Sequence, residues 1–193
     1  TGSTEVGTKI MKLAADDIKR VSLELGGKSP NIVFADADWQ RAALESPMSV
    51  FANTGQDCCA RSRMFIEQSI FDDFVSQFVA ATEKLNIGNP LLDETQIGPM
   101  VSSAQRELSE SFIAEAKGDG RNILTGGERL SGSGFYLKPA VITGAKLNDR
   151  VWREEIFGPV VCLRPFSDEA EMISEVNNTN FGLSGSVWSK DLS

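Results

Sequence analysis

Along this 193-residue chain the hydrophobic pattern alternates between a strand-like period and a helical one, which limits the possible folds more than any other feature. Thr8 to Arg20 sets Ile10, Met11, Leu13, Ala14 and Ile18 at helical spacing, and Val21 to Leu25 follows as a short apolar run ended by Gly26 and Gly27. Asn31 to Phe34 reads as a strand, and Asp36 or Asp38 caps a helix reaching toward Asn53. Pro47 is expected to kink or split that helix. Met64 to Glu67 is strand-like, and Ser69 with Asp72 resembles a capping box ahead of the Ile70–Val79 helical stripe, whose phenylalanines read as core. After a Gly- and Pro-rich loop over residues 86–99, helix is expected from Ser102 to Lys117 and strand from Asn122 to Thr125. Two further strands, Phe135 to Thr143 and Val160 to Phe166, follow. A helix from Ser167 to Asn177 with Ser167 as cap and a strand at Gly185 to Ser189 complete the pattern. Strands alternating with helices predict an α/β fold of three layers, a mostly parallel sheet with helices on both faces.

Composition narrows the chemistry. There are 19 Lys and Arg against 27 Asp and Glu, a net charge of −8, and no basic run, so a nucleic-acid partner is not expected. No apolar run has the length of a membrane span and no signal peptide is visible. The chain begins with Thr1 and stops just after a strand-like run, so more polypeptide is expected on both sides. The absence of histidine removes His-based nucleophilic triads and imidazole zinc sites. Three cysteines cannot form a disulfide scaffold or a four-cysteine cluster, so reduced thiols, a cytoplasmic setting and no metal are expected.

Two side chains could still carry chemistry. Cys58 falls on a turn between the helix ending near Asn53 and the strand at Met64, where a rigid scaffold can present a thiol. The plainer reading makes Cys58 and Cys59 small buried hydrophobes, and Cys162 in its apolar strand reads that way too. Asp57 places a negative charge that opposes a thiolate at Cys58. Glu24 sits within the apolar run Val21 to Leu25, where partial burial would make it a usable general base. A solvated acid on the polar side of a strand is the equal alternative.

Several segments together resemble those of one family. Thr1-Gly2-Ser3-Thr4-Glu5-Val6-Gly7, Leu23-Glu24-Leu25-Gly26-Gly27-Lys28-Ser29-Pro30, Gly55-Gln56-Asp57-Cys58 and Glu154-Glu155-Ile156-Phe157-Gly158-Pro159-Val160 resemble, in the same order, signature segments of the NAD(P)-dependent aldehyde dehydrogenases. Asn180-Phe181-Gly182-Leu183-Ser184 adds a fifth.

The resemblance implies that Cys58 is the nucleophile, with Cys59 an unreactive neighbour, and that Glu24 is the general base. It implies that Glu155 binds the nicotinamide ribose, Phe157 packs near the nicotinamide, and Leu25 offers a backbone contact to the carboxamide. Gly2, Ser3 and Gly7 would form the turn and helix start beside the pyrophosphate, where helix N–H groups favour an anion. Ser3 or Thr4 as a simple helix cap is the other reading of that segment. Residues 1–25 would be the C-terminal edge of an NAD-binding domain and residues 26–193 a thiol-bearing catalytic domain truncated at its C-terminal end. The implied activity is oxidation of a small-molecule aldehyde to a carboxylic acid with NAD, or NADP, by a homo-oligomer, dimer or tetramer, when full length. A non-catalytic relative or inactive fragment, a thiol acyl hydrolase and a CoA-acylating enzyme are the alternatives.

Overall fold

The computed structural model describes residues 1–191. Its elements are α1 (Thr4–Asp16), β1 (Pro30–Val33), α2 (Trp39–Phe51), β2 (Arg63–Glu67), α3 (Phe71–Glu83), α4 (Ser103–Gly118), β3 (Asn122–Thr125), β4 (Ala140–Thr143), α5 (Arg150–Arg153), β5 (Val160–Phe166), α6 (Glu169–Asn177) and β6 (Ser186–Trp188). Six strands form one sheet in the order β3-β4-β5-β2-β1-β6. Every pairing is parallel except β3 with β4. The expected three-layer α/β architecture is therefore the observed one.

The layering follows from side-chain alternation along strands buried on both faces. Phe65 points into one core with Trp152, Phe112 and Met172, while Met64 and Ile66 point into the other with Phe51, Phe74 and Phe78. Thus α4, α5 and α6 cover one face, and α2 and α3 the other. Removing one buried phenylalanine from either layer costs roughly 3–5 kcal/mol.

Several local expectations are corrected. Helix α1 starts at Thr4, four residues earlier than read, because the Ser3 hydroxyl accepts from Val6 N–H at 3.3 Å. It stops at Asp16, and the next-but-one residue, Ile18, sits at φ 57°. Val21 to Leu25 is not a strand: its alternation fits the template, yet no neighbouring strand pairs with it among the described residues. Helix α2 runs through Pro47 as one element, because Ala42, Ala43, Ser46, Pro47, Val50 and Phe51 are all buried and packing holds the turn together. Ser69 caps nothing; its hydroxyl donates to Glu67 within a short 3₁₀ turn, Gln68–Ile70. The strand expected from Phe135 begins only at Ala140. Lys138 is taken up by Glu128 and Gly127, and Pro139 has no N–H to offer. Asp168, not Ser167, caps α6, accepting from Glu171 N–H at 2.8 Å. Helix α5, one turn long, was not expected.

Candidate active site

Three of the quoted segments end where parallel strands begin. Gly26 and Gly27 lead into β1, Cys58 into β2, and Glu155 to Pro159 into β5. Because β5, β2 and β1 are adjacent and parallel, these segments meet along the amino edge of the sheet.

The meeting is close enough to exclude side chains. Gly27 lies against the Cys58 carbonyl, and a Cβ there would collide with that oxygen. Gly55, at φ +69°, lies against the Gly158 carbonyl in the same way, so its place needs both the left-handed backbone and the missing Cβ. Before it, Asn53 and Thr54 take φ 51° and 59°. A β-branched residue there is strained. The strain is held by Thr54 Oγ1 donating to Gly98 O at 3.0 Å and Asn53 Nδ2 donating to Gln56 O at 2.9 Å.

At this junction lies a cavity of about 570 Å³, lined by Gly2, Ser3, Leu25, Cys58, Glu155 and Phe157 among others. Six of the eight residues singled out from sequence therefore share one wall. Gly7 is not among them: it is buried in α1 under the Leu25 side chain, whose Cδ1 would stand 2.7 Å from an added Cβ. Glu24 is not among them either. It is exposed on an extended segment, and its backbone carbonyl accepts from the N–H of Gly2, a cavity-lining residue, at 3.1 Å. The partial burial expected of Glu24 is thus absent, because the segment that carries it joins no sheet.

The electrostatics of the wall are specific. Cys58 is half-buried, and burial pushes its thiol above the ordinary value; Cys59 and Asp57 push it the same way. Burial also raises the half-buried Glu155 carboxyl, opposed by Gly27 N–H donating to its Oε1 at 3.2 Å and by nearby Lys28. Lys28 is buried, its Nζ donating to Val151 O at 3.0 Å, and burial pulls it down to about 8. Arg63, buried at the start of β2, ties this edge together by donating to Lys28 O and Val176 O.

Sequence reasoning missed Gln105 and Leu108, which line the cavity from α4. Gln105 Nε2 donates to Ile156 O at 2.9 Å and Phe157 O at 3.0 Å. It thereby holds the turn in which Phe157 adopts φ 54°. Nothing in the sequence links an amide on α4 to that turn. Ser3 fulfils its plainer reading as a cap while also lining the cavity.

A sequence model described as the aldehyde dehydrogenase family matches residues 1–193. The chain belongs to the aldehyde dehydrogenase family. It is 43% identical to a peroxisomal aminoaldehyde dehydrogenase 2 of Pisum sativum over 100% of this chain and 39% of that protein. It is also 43% identical to betaine aldehyde dehydrogenase 1 of Rhizobium meliloti, covering 100% of this chain and 40% of the relative. Among solved structures, an aldehyde dehydrogenase from Bacillus cereus superposes with a TM-score of 0.96 at 38% identity, over 99% of this chain and 39% of that one. A betaine aldehyde dehydrogenase from Staphylococcus aureus in complex with NAD+ gives 0.94 at 38% identity, over 98% of this chain and 38% of that one. The chain therefore spans about two fifths of the length of such relatives.

Proposed function

We propose that the protein oxidises an aldehyde to a carboxylic acid with NAD, using Cys58 as nucleophile. The supporting observation is the convergence of Gly2, Ser3, Leu25, Cys58, Glu155 and Phe157, drawn from four separate segments, on one cavity.

The cavity suits the nicotinamide end of a dinucleotide. It offers Gly2 and Ser3 just ahead of the start of α1, where helix N–H groups favour an anion, a half-buried carboxylate at Glu155 for hydroxyl groups, and the exposed ring of Phe157 as an apolar wall. Bound there, NAD supplies a hydride acceptor. Gly2, Ser3 and Leu25 hold it through backbone groups, and Glu155 orients the ribose; Gly7 acts from behind by admitting Leu25.

Cys58, as thiolate, attacks the aldehyde carbon, forming a C–S bond and an oxyanion that its own backbone N–H helps to hold. Loss of hydride from that carbon leaves a thioester on Cys58. Glu24 removes a proton from water, which adds to the thioester and releases the acid and the thiol. The exposed Glu24 side chain must turn inward for this.

In this reading residues 1–25 belong to the edge of the cofactor domain and residues 26–193 to the catalytic domain of a homo-oligomer in the cytoplasm, although relatives include proteins named as peroxisomal and chloroplastic. NAD is preferred to NADP because a solved relative is described as NAD-dependent and another holds NAD+. Betaine aldehyde and aminoaldehydes head the substrate panel, since relatives are named for them.

Rapid mixing of the intact enzyme with aldehyde and NAD tests the roles. Cys58→Ala is expected to abolish the burst of reduced cofactor. Glu24→Gln is expected to keep the burst and slow steady turnover by about 10²–10⁴-fold, the range for loss of a general base. A burst that survives Cys58→Ala refutes the nucleophile assignment.

A further inference from the structure

The thiol at the cavity wall has a neighbour that aldehyde oxidation does not use. Cys59 Sγ lies 3.9 Å from Cys58 Sγ. One ligand atom from each of Asp57, Cys58 and Cys59 falls within 4.8 Å of the others. Two zinc–sulfur bonds of about 2.3 Å at the tetrahedral angle hold their sulfurs about 3.8 Å apart. The sulfurs thus already stand at the separation one zinc ion requires. The carboxylate supplies a third donor of the right hardness, and water can take the fourth position from the open side of the cavity.

The backbone fixes this arrangement. Asp57 Oδ1 accepts from Cys59 N–H at 2.9 Å, Ala60 N–H donates to Asp57 O at 3.1 Å, and Arg61 Nη1 donates to Cys59 O at 2.6 Å. Cys162 cannot compete, since it is 1% exposed in the sheet core.

We propose that Asp57, Cys58 and Cys59 chelate a thiophilic divalent cation of the zinc class, and that the cation switches the enzyme off by occupying the Cys58 sulfur. Both thiols give up their protons to solvent as the two metal–sulfur bonds form, so two protons leave for each ion bound. Chelation stands on the geometry alone; the inhibition rests on Cys58 being the nucleophile.

Cadmium, a spectroscopic stand-in for zinc, reports binding to purified protein through its ultraviolet sulfur-to-metal charge-transfer band. Cys59→Ser is expected to lose at least half of the wild-type band and to bind at least about tenfold more weakly. Asp57→Asn keeps both sulfurs, so it should keep the band and bind several-fold more weakly. Zinc should protect wild-type Cys58 from iodoacetamide at least about tenfold, reversibly on adding a chelator, and should not protect it in Cys59→Ser. A wild-type protein without the band, or a Cys59→Ser variant that binds cadmium as tightly as wild type, overturns the site. Binding that leaves turnover unchanged overturns the switch. A failed nucleophile assignment looks different: Cys58→Ala then retains turnover while the wild-type cadmium band is unaffected.

Discussion

At the scale of single residues, the surroundings of Cys58 disfavour its ionisation. Burial, the Cys59 thiol and the Asp57 carboxylate all raise its pKa. Asp57 can be replaced while keeping shape, because an asparagine oxygen can still accept from Cys59 N–H. Without cofactor, the rate of Cys58 alkylation against pH is expected to show a midpoint above that of an ordinary thiol. Asp57→Asn should move the midpoint downward, since one charge opposing the thiolate has gone. An unchanged midpoint would show that the carboxylate is screened. The sequence carried this much openly, because an acid next to a candidate thiol is visible as a string of letters. It also carried Glu155 and Phe157 through their motif. It could not carry Gln105, whose role depends on a helix from elsewhere in the chain reaching the Phe157 turn. Nor could it show that Glu24 is exposed, because Val21 to Leu25 has the alternation of a strand and lacks only a partner.

Elements set the site by where they start. Parallel strands usually present ligands at their carboxyl ends, whereas here the cavity is built by the segments entering β1, β2 and β5. Close packing of backbone on backbone makes that possible, and Gly55 against Gly158 is its tightest point. Gly55→Ala combines a left-handed φ with a collision against a carbonyl, so a loss of about 1–3 kcal/mol is expected. Urea unfolding measures it, and altered Cys58 alkylation would accompany it because the turn must shift. A second prediction concerns the approach to Glu155. Asp149 precedes α5 and is 12% exposed; Arg121 Nε and Nη2 donate to it at 2.6 and 3.1 Å, and Lys146 N–H donates at 2.7 Å. Burial would raise this carboxyl, but the Arg121 fork and Lys146 outweigh it and hold it below the ordinary aspartate value. Its contribution is therefore present above the unfolded-state value and lost as pH falls through the folded one. Asp149→Asn should cost about 1–3 kcal/mol near neutral pH, and the gap from wild type should close in strong acid. A gap independent of pH would assign the loss to packing. Helix α5 itself was illegible because one turn is too short to show a period, while the longer α3 and α4 were legible over most of their length.

For the molecule as a whole, the two-faced sheet explains most of the buried apolar pattern, and the apolar stripe of α1 lies outside it. Its helical spacing was readable, but the stripe does not face the core. Only Gly7 of α1 is buried, whereas Val6, Met11 and Leu13 are 42%, 50% and 71% exposed and Ile18, just beyond, is 92% exposed. Periodicity reports that a helix has an apolar face and is silent on what that face meets. Such an apolar patch facing water promotes association. The 193-residue polypeptide prepared alone is therefore expected to self-associate in light scattering and to bind a hydrophobic dye. Leu13→Glu with Ile18→Asn should reduce both. Asparagine also tolerates the φ of 57° at position 18 better than a β-branched side chain does. Neither position touches the sheet, so the unfolding free energy should stay within about 0.5 kcal/mol or rise slightly. If association persists unchanged in the double variant, the sticky surface lies elsewhere, and exposed Val187 on the edge strand β6 is the next position to replace.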